Sequence, residues 1–173
     1  MNNIYLTQAF RFLFLLLLQV LVFKRLSLSF ESFNYISVFI YPIFILLLPH
    51  RISHVALVVV GFLTGLSVDI FYSSPGIHAA ASVFTAYMRP TLLKIFEPRG
   101  GYAANQSPTK HQVGIGVFIR YAAAFLFLHL IFYFSVQAFS FVYIKEILLR
   151  TTFSFLVSLV FIVLYQYLFN PKS

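Results

Sequence analysis

The chain has 173 residues, of which 61% are hydrophobic, 20% are aromatic and only 9% are charged. This composition excludes an ordinary water-soluble domain and indicates an integral membrane protein, for which the lipid bilayer is the solvent. Because the chain contains no cysteine, a disulfide framework, a thiolate zinc cluster and a thiol nucleophile are also excluded.

Apolar runs separated by short polar segments predict a single domain, residues 1–173, that crosses the membrane six times. Lys24 and Arg25 close the first run, and Pro49 ends the second. The polar segment 97–112 (EPRGGYAANQSPTKHQ) has no apolar period and predicts a cytoplasmic loop. The expected fold is therefore an all-α bundle of six transmembrane helices, over about residues 6–23, 35–48, 53–72, 75–89, 114–137 and 147–169.

The fourth predicted helix follows a tight turn, SSPG, at residues 73–76. Ser74 is expected to be its N-cap and Pro75 its first residue, because a proline there gives up no hydrogen bond that the helix needs. Arg89 and Pro90 are expected to end or kink this helix. The apolar residues that follow are then expected to lie along the membrane surface.

Loop charge predicts the orientation, because basic residues accumulate on the cytoplasmic side. Six crossings place both termini on one side, and cytoplasmic termini give that side the larger share of basic residues: Arg51, Lys94, Arg99, Lys110 and Lys172, plus Arg11 and Arg89 near helix ends, against Lys24, Arg25 and Lys145. The SSPG turn then faces outward. Since these basic residues are scattered and form no stripe, the formal charge of +8 does not indicate nucleic-acid binding.

Gly61, Gly65 and Asp69 are spaced four residues apart and share one face of the third predicted helix. Small residues at this spacing allow another helix to approach closely, and such packing drives helix association in a bilayer. This face is expected to be a packing seam. A contact within the chain is favoured, and a contact with another protein remains the alternative.

Asp69 lies within one turn of the helix end, where a charge costs well below the roughly 2.5 to 3.5 kcal/mol of the bilayer centre. It is expected to meet the N-terminus of the fourth helix, whose free N–H groups and dipole favour an anion. His78, in the first turn of that helix, adds a partner that depends on protonation. We therefore expect a helical hairpin fixed at its tip by Asp69, Pro75, Gly76 and His78, with a structural role favoured over catalysis or proton relay.

Arg89 follows His78 by eleven residues, about three turns, and so lies on nearly the same helix face. It is expected to reach the cytoplasmic edge and snorkel into the interface. A buried pair between Arg89 and Asp69 is disfavoured, because the two residues are expected near opposite membrane surfaces.

Four other basic side chains lie near the ends of apolar runs or inside them. His50 and His54 are four apart, but no nearby ligand completes a metal site, so His50 and Arg51 are expected to be interfacial anchors and no metal is expected. His129 stands alone in the fifth helix and is expected to hydrogen-bond to another helix, with Gln137 or a scattered Ser or Thr as partner.

The order of these features resembles the bacterial rod-shape-determining membrane protein family MreD. The resemblance covers about residues 34–90 and rests on Asn34, on LLLPHR, on GFLTG with Asp69 four residues later, and on SSPGIHA followed by Ala86-Tyr87. The sequence departs from many members of the family in its weakly charged C-terminal tail and in lacking a proline before Asn34.

The resemblance implies a non-enzymatic subunit of the cell-elongation machinery in the bacterial inner membrane, with no cofactor. Its expected partners are membrane-anchored MreC and, indirectly, the MreB filament and RodA with its transpeptidase partner. The implied fold is similar to the S components of energy-coupling-factor vitamin transporters. One alternative is a small transport or substrate-capture protein that uses Asp69 and His78 for a proton or cationic ligand. Another is an intramembrane enzyme, which is weaker because no nucleophile–base pair emerges.

Overall fold

The computed structural model describes residues 2–29, 35–98, 100–102 and 107–169. Asn34, Arg99, Lys172 and part of the predicted 97–112 loop lie outside the described residues. Throughout the described ranges the regular secondary structure is helical. In chain order it consists of α1 (Asn2–Leu18), a π-helical turn (Gln19–Phe23), α2 (Lys24–Ser29), α3 (Pro42–Leu46), α4 (His54–Tyr72), α5 (Ile77–Ile95), α6 (Lys110–Val113), α7 (Ile115–Ala138), a 3₁₀ turn (Phe141–Tyr143) and α8 (Ile144–Phe169).

The all-helical class is confirmed, and four helical stretches are long and apolar enough to cross a membrane: Leu6–Leu26, α4, α7 and α8. Their bounds lie close to the first, third, fifth and sixth predicted spans. The second and fourth predicted spans are not among these four in the described part of the chain. By the criteria of length and apolarity, the described part of the chain therefore has four candidate membrane-spanning helices, where six were expected.

The prediction of a helix over residues 35–48 is wrong. Residues 36–40 are extended, and only Pro42–Leu46 form a short helix. A short apolar run has the same hydropathy whether it is a buried helix or a buried strand, so the sequence pattern does not distinguish them. Ile43 and Ile45 are fully buried, which places this segment inside the helix assembly, where non-helical backbone is tolerated in a membrane protein.

The predicted boundaries of the fourth helix are also wrong. The N-cap of α5 is Gly76, with φ +81°, so Ser74 and Pro75 precede the helix. At its other end α5 continues through Pro90 to Ile95, and the residues after Pro90 are not a separate surface segment. Membrane helices tolerate an internal proline because neighbouring groups satisfy the freed carbonyl.

α4 and α5 form an antiparallel hairpin, α5 packs against α7, and α7 packs against α8. α1 and the π-helical turn contact α4, and Lys24 Nζ, at the start of α2, donates a 2.6 Å hydrogen bond to the carbonyl of Phe71 at the end of α4. Large apolar side chains such as Phe10, Val55 and Ile70 are exposed on the outer surface. That distribution suits a protein surrounded by lipid, and polar groups are concentrated inside.

Candidate functional site

Gly61 and Gly65 place the backbone of α4 directly against α5. A Cβ atom added to Gly65 would lie 2.5 Å from the Cα of Ala79, and one added to Gly61 would lie 2.8 Å from the Cβ of Ala86. Real Cβ atoms do not approach other atoms this closely. The glycine face is therefore a seam within the chain, and only glycine fits at position 65.

The carboxylate of Asp69 caps the N-terminus of α5. Its Oδ1 accepts the backbone N–H of His78 at 3.0 Å, and its Oδ2 accepts the N–H of Ala79 at 2.9 Å. The hydroxyl of Ser74 donates to Oδ1 at 2.6 Å. Because Asp69 is only 4% exposed, these charge-assisted bonds replace the water that the carboxylate loses on burial.

The turn between the helices brings Asp69 to this position. Ser73 ends α4 in the left-handed conformation, with φ +53° and its N–H bonded to the carbonyl of Asp69, while Gly76 starts α5 at φ +81°. Pro75 lies between these two residues and fixes its own φ. The structure thus places Gly61, Gly65, Asp69, Pro75, Gly76 and His78 on one hairpin.

His78 is fully buried beside the Asp69 carboxylate. Its Nδ1 lies 3.0 Å from Oδ1 of Asp69 and 2.9 Å from the hydroxyl oxygen of Ser74. Its Nε2 is buried and has no hydrogen-bond partner among the described residues. Four aromatic rings surround the imidazole, those of Phe39, Tyr41, Tyr72 and Tyr133.

His129 on α7 forms a second buried polar cluster with Tyr41 and Thr85. Its Nδ1 lies 2.8 Å from the Thr85 hydroxyl, and its Nε2 lies 2.8 Å from the Tyr41 hydroxyl. The Thr85 hydroxyl donates to the carbonyl of Ala81, so it accepts from Nδ1–H and Tyr41 donates to Nε2. Thr85 is one of the Ser and Thr partners expected for His129, whereas Gln137 lies in the wall of a cavity at the end of α7.

Arg89 does not snorkel to the interface, and that prediction is wrong. Its side chain is 1% exposed. Its Nε and Nη2 lie 3.4 Å from the carbonyl of Leu46, and Nη2 also donates to the carbonyl of Leu48. The hydroxyl of Tyr121 donates to Leu46 as well, at 3.3 Å. Arg89 thus satisfies the free carbonyls after α3.

Residues that the sequence did not indicate hold the extended segment in place. The side chains of Ser154 and Ser158 on α8 accept the backbone N–H groups of Ser37 and Phe39, each at 2.9 Å. Gln19 accepts from the N–H of Ile40 at 2.8 Å and donates to the carbonyl of Val38 at 3.0 Å. The sequence feature that could have indicated these residues is that each is a polar side chain inside an apolar span, because such a side chain normally faces the protein interior.

His50 and Arg51 are exposed, as is His54 at the start of α4. The imidazole of His50 stacks on the ring of Tyr102, with centroids 4.9 Å apart. These residues lie at the end of the protein opposite the SSPG turn, where interfacial anchors were expected.

Replacing Asp69 with asparagine is expected to lower the free energy of unfolding by about 2 kcal/mol. An asparagine side chain has one acceptor oxygen, so the N–H of His78 or of Ala79 loses its partner. Ser74→Ala is the matched comparison and removes one donor only, with an expected loss of about 1 kcal/mol. Unfolding in detergent, followed by circular dichroism, measures both losses, and an Asp69→Asn protein as stable as the wild type would contradict the capping role.

The hydrogen bonds and close packing of the hairpin are those of a fixed structural element. The aromatic pocket around His78 contains one polar atom, Nε2, that has no hydrogen-bond partner among the described residues. Comparisons with protein-family models, with curated proteins and with solved structures find no match to this chain.

Proposed function

We propose that this chain is a non-enzymatic, MreD-type subunit of the bacterial cell-elongation complex. In this proposal it spans the inner membrane six times with both termini in the cytoplasm. It binds an MreC-type protein and, through it, acts with the MreB filament, RodA and its transpeptidase partner to maintain rod shape. Residues 36–46 and α5 would supply the second and fourth crossings.

The observation that carries the proposal is that both oxygens of the Asp69 carboxylate are engaged within the hairpin. Both of its oxygens accept backbone N–H groups from α5, and Oδ1 also accepts from Ser74. A general base or a proton carrier needs a lone pair that faces its substrate. Asp69 is occupied in holding α5 against α4, which supports a structural role for this residue and not a catalytic one.

Residues from the region of the family resemblance contact one another. Arg89 on α5 holds the carbonyls of Leu46 and Leu48, from the LLLPHR motif, while Gly65 and Asp69 hold α4 against the start of α5. The motifs are thus connected parts of one unit made of the extended segment, α3, α4 and α5. A rigid unit of this kind is suited to presenting a fixed outer face to a neighbouring protein.

That outer face is the exposed side of α4, opposite the glycine seam. Val55, Val59, Phe62, Leu66 and Ile70 are exposed there at helical spacing. A membrane-anchored partner can pack on this face without displacing any contact that holds the hairpin together.

Site-specific cross-linking in bacterial membranes tests the proposal. A photoreactive residue at Val59 or Leu66 is expected to capture the MreC-type protein, and the same residue at Leu156 or Val160, exposed on α8, is the matched control. If the purified protein remains alone and no elongation component co-purifies or cross-links from α4, the proposal is wrong.

A second candidate function is capture of a proton or a small cationic ligand by Asp69 and His78. It is favoured by one observation, the buried Nε2 of His78 that has no partner in the described part of the chain. Thermal stabilisation by a ligand in wild-type protein, lost in Asp69→Asn, would support this candidate over the first.

A further inference from the structure

A cavity of about 330 Å³ opens at the end of the protein opposite the SSPG turn. It lies between the start of α4, the end of α5 and the segment that follows α5. Leu57 and Leu93 form part of an apolar wall, and both are buried. The polar and charged lining residues are His50, His54, Arg89, Lys94, Glu97 and Tyr102.

The charge of this lining is positive. Arg89 and Lys94 are cationic, and Glu97 is the one carboxylate among the lining residues. The pKa of Tyr102 is raised to about 12, mainly by burial, so its phenol is neutral at physiological pH and adds no negative charge. A molecule in this cavity therefore faces two fixed positive charges, one negative charge and two imidazoles.

Arg89 lacks a counter-ion. Its guanidinium contacts the backbone carbonyls of Leu46 and Leu48, and no carboxylate lies within ion-pair distance of it among the described residues. A buried charge without a partner of opposite sign is costly. An anion in the adjoining cavity would compensate this charge.

Exposed apolar residues lie next in sequence to two residues that line the cavity. Val55 follows the lining residue His54, and Ile95 follows Lys94; their side chains are 76% and 66% exposed. A ligand with an anionic head and apolar chains can contact both the charged lining of the cavity and the exposed apolar residues beside it. A small soluble anion can contact only the charged lining.

We propose that this cavity binds the phosphate group of an anionic membrane lipid, whose acyl chains lie along the outer faces of α4 and α5. Basic pockets between membrane helices are suited to lipid headgroups of this kind. Arginine and lysine bind phosphate oxygens through charge-assisted hydrogen bonds. This site is separate from the α4–α5 tip. Its acyl-chain surface shares Val55 with the outer face of α4 described above, and its test does not depend on the proposed partner.

The test uses the full chain in micelles of a neutral detergent, with phosphatidylglycerol, phosphatidylcholine or inorganic phosphate added. Lipid affinity is measured by native mass spectrometry and by the shift in the thermal unfolding midpoint. Phosphatidylglycerol is expected to bind and stabilise the wild type, and neither of the other two probes is expected to match it.

Three exposed positions separate a specific site from general charge attraction. Lys94→Gln is expected to weaken phosphatidylglycerol binding about 5-fold, equivalent to about 1 kcal/mol. Glu97→Gln removes the carboxylate of the lining and is expected to strengthen binding. Arg120→Gln is the matched control, because Arg120 is exposed near the start of α7 and does not line the cavity.

If Lys94→Gln and Arg120→Gln lose equal affinity for phosphatidylglycerol, the proposal is overturned, because binding would then depend on the net charge of the protein and not on the cavity. Weaker binding in Glu97→Gln would also overturn it. Stabilisation by inorganic phosphate equal to that by phosphatidylglycerol would overturn the lipid as the source of the phosphate group.

Discussion

Replacing Gly65 with alanine is expected to lower the free energy of unfolding by about 3 kcal/mol or more. The new Cβ would lie 2.5 Å from the Cα and 2.6 Å from the N of Ala79. Both are backbone atoms, so no side-chain rotation relieves the overlap, and α5 must move away from α4. That movement also draws the N–H groups of α5 away from Asp69, so packing and capping are lost together.

Gly116→Ala is the matched control for this change. Gly116 lies within α7, and a Cβ added there meets no atom within 4 Å. Alanine at that position is expected to be neutral or to stabilise the helix by up to about 1 kcal/mol, because glycine is a poor helix former. Unfolding in detergent measures both variants, and a Gly65→Ala protein as stable as Gly116→Ala would show that the seam is not tightly packed.

The α4–α5 hairpin could be predicted from the sequence because its contacts are local. Asp69 and the N–H groups that it caps are nine and ten residues apart, and the spacing of Gly61, Gly65 and Asp69 places them on one face. The periodicity of a helix and the preference of its N-terminus for an anion are enough to predict a contact of this kind. The predicted N-cap residue was still wrong, since Gly76 occupies the position expected of Ser74.

The path of residues 36–41 could not be predicted, because its conformation depends on distant residues. Ser37 and Phe39 find their hydrogen-bond acceptors 117 and 119 residues later, in α8. The burial of Arg89 follows from the same cause. Its acceptors are the carbonyls of Leu46 and Leu48, which lie 43 and 41 residues earlier in the chain, so the spacing of residues along α5 does not indicate them.

Replacing Gln19 with leucine is expected to lower the free energy of unfolding by about 4 kcal/mol, although leucine is the more apolar residue and favours membrane insertion. Gln19 is fully buried at the start of the π-helical turn. Its amide oxygen accepts from Ile40 and Tyr41, and its nitrogen donates to Val38 and to the hydroxyl of Tyr72. Leucine removes the acceptor of the Ile40 and Tyr41 N–H groups in an interior that excludes water.

Gln137→Leu makes the same chemical change at an exposed position near the end of α7 and is expected to leave stability nearly unchanged. Hydrogen exchange at the amides of Ile40 and Tyr41 gives a local measure, because both amides should exchange faster in Gln19→Leu and at the wild-type rate in Gln137→Leu. If hydropathy alone governed stability, Gln19→Leu would be at least as stable as the wild type. Loss of stability at position 19 alone would instead show that the extended segment persists in the membrane because side chains, in place of water, satisfy its backbone.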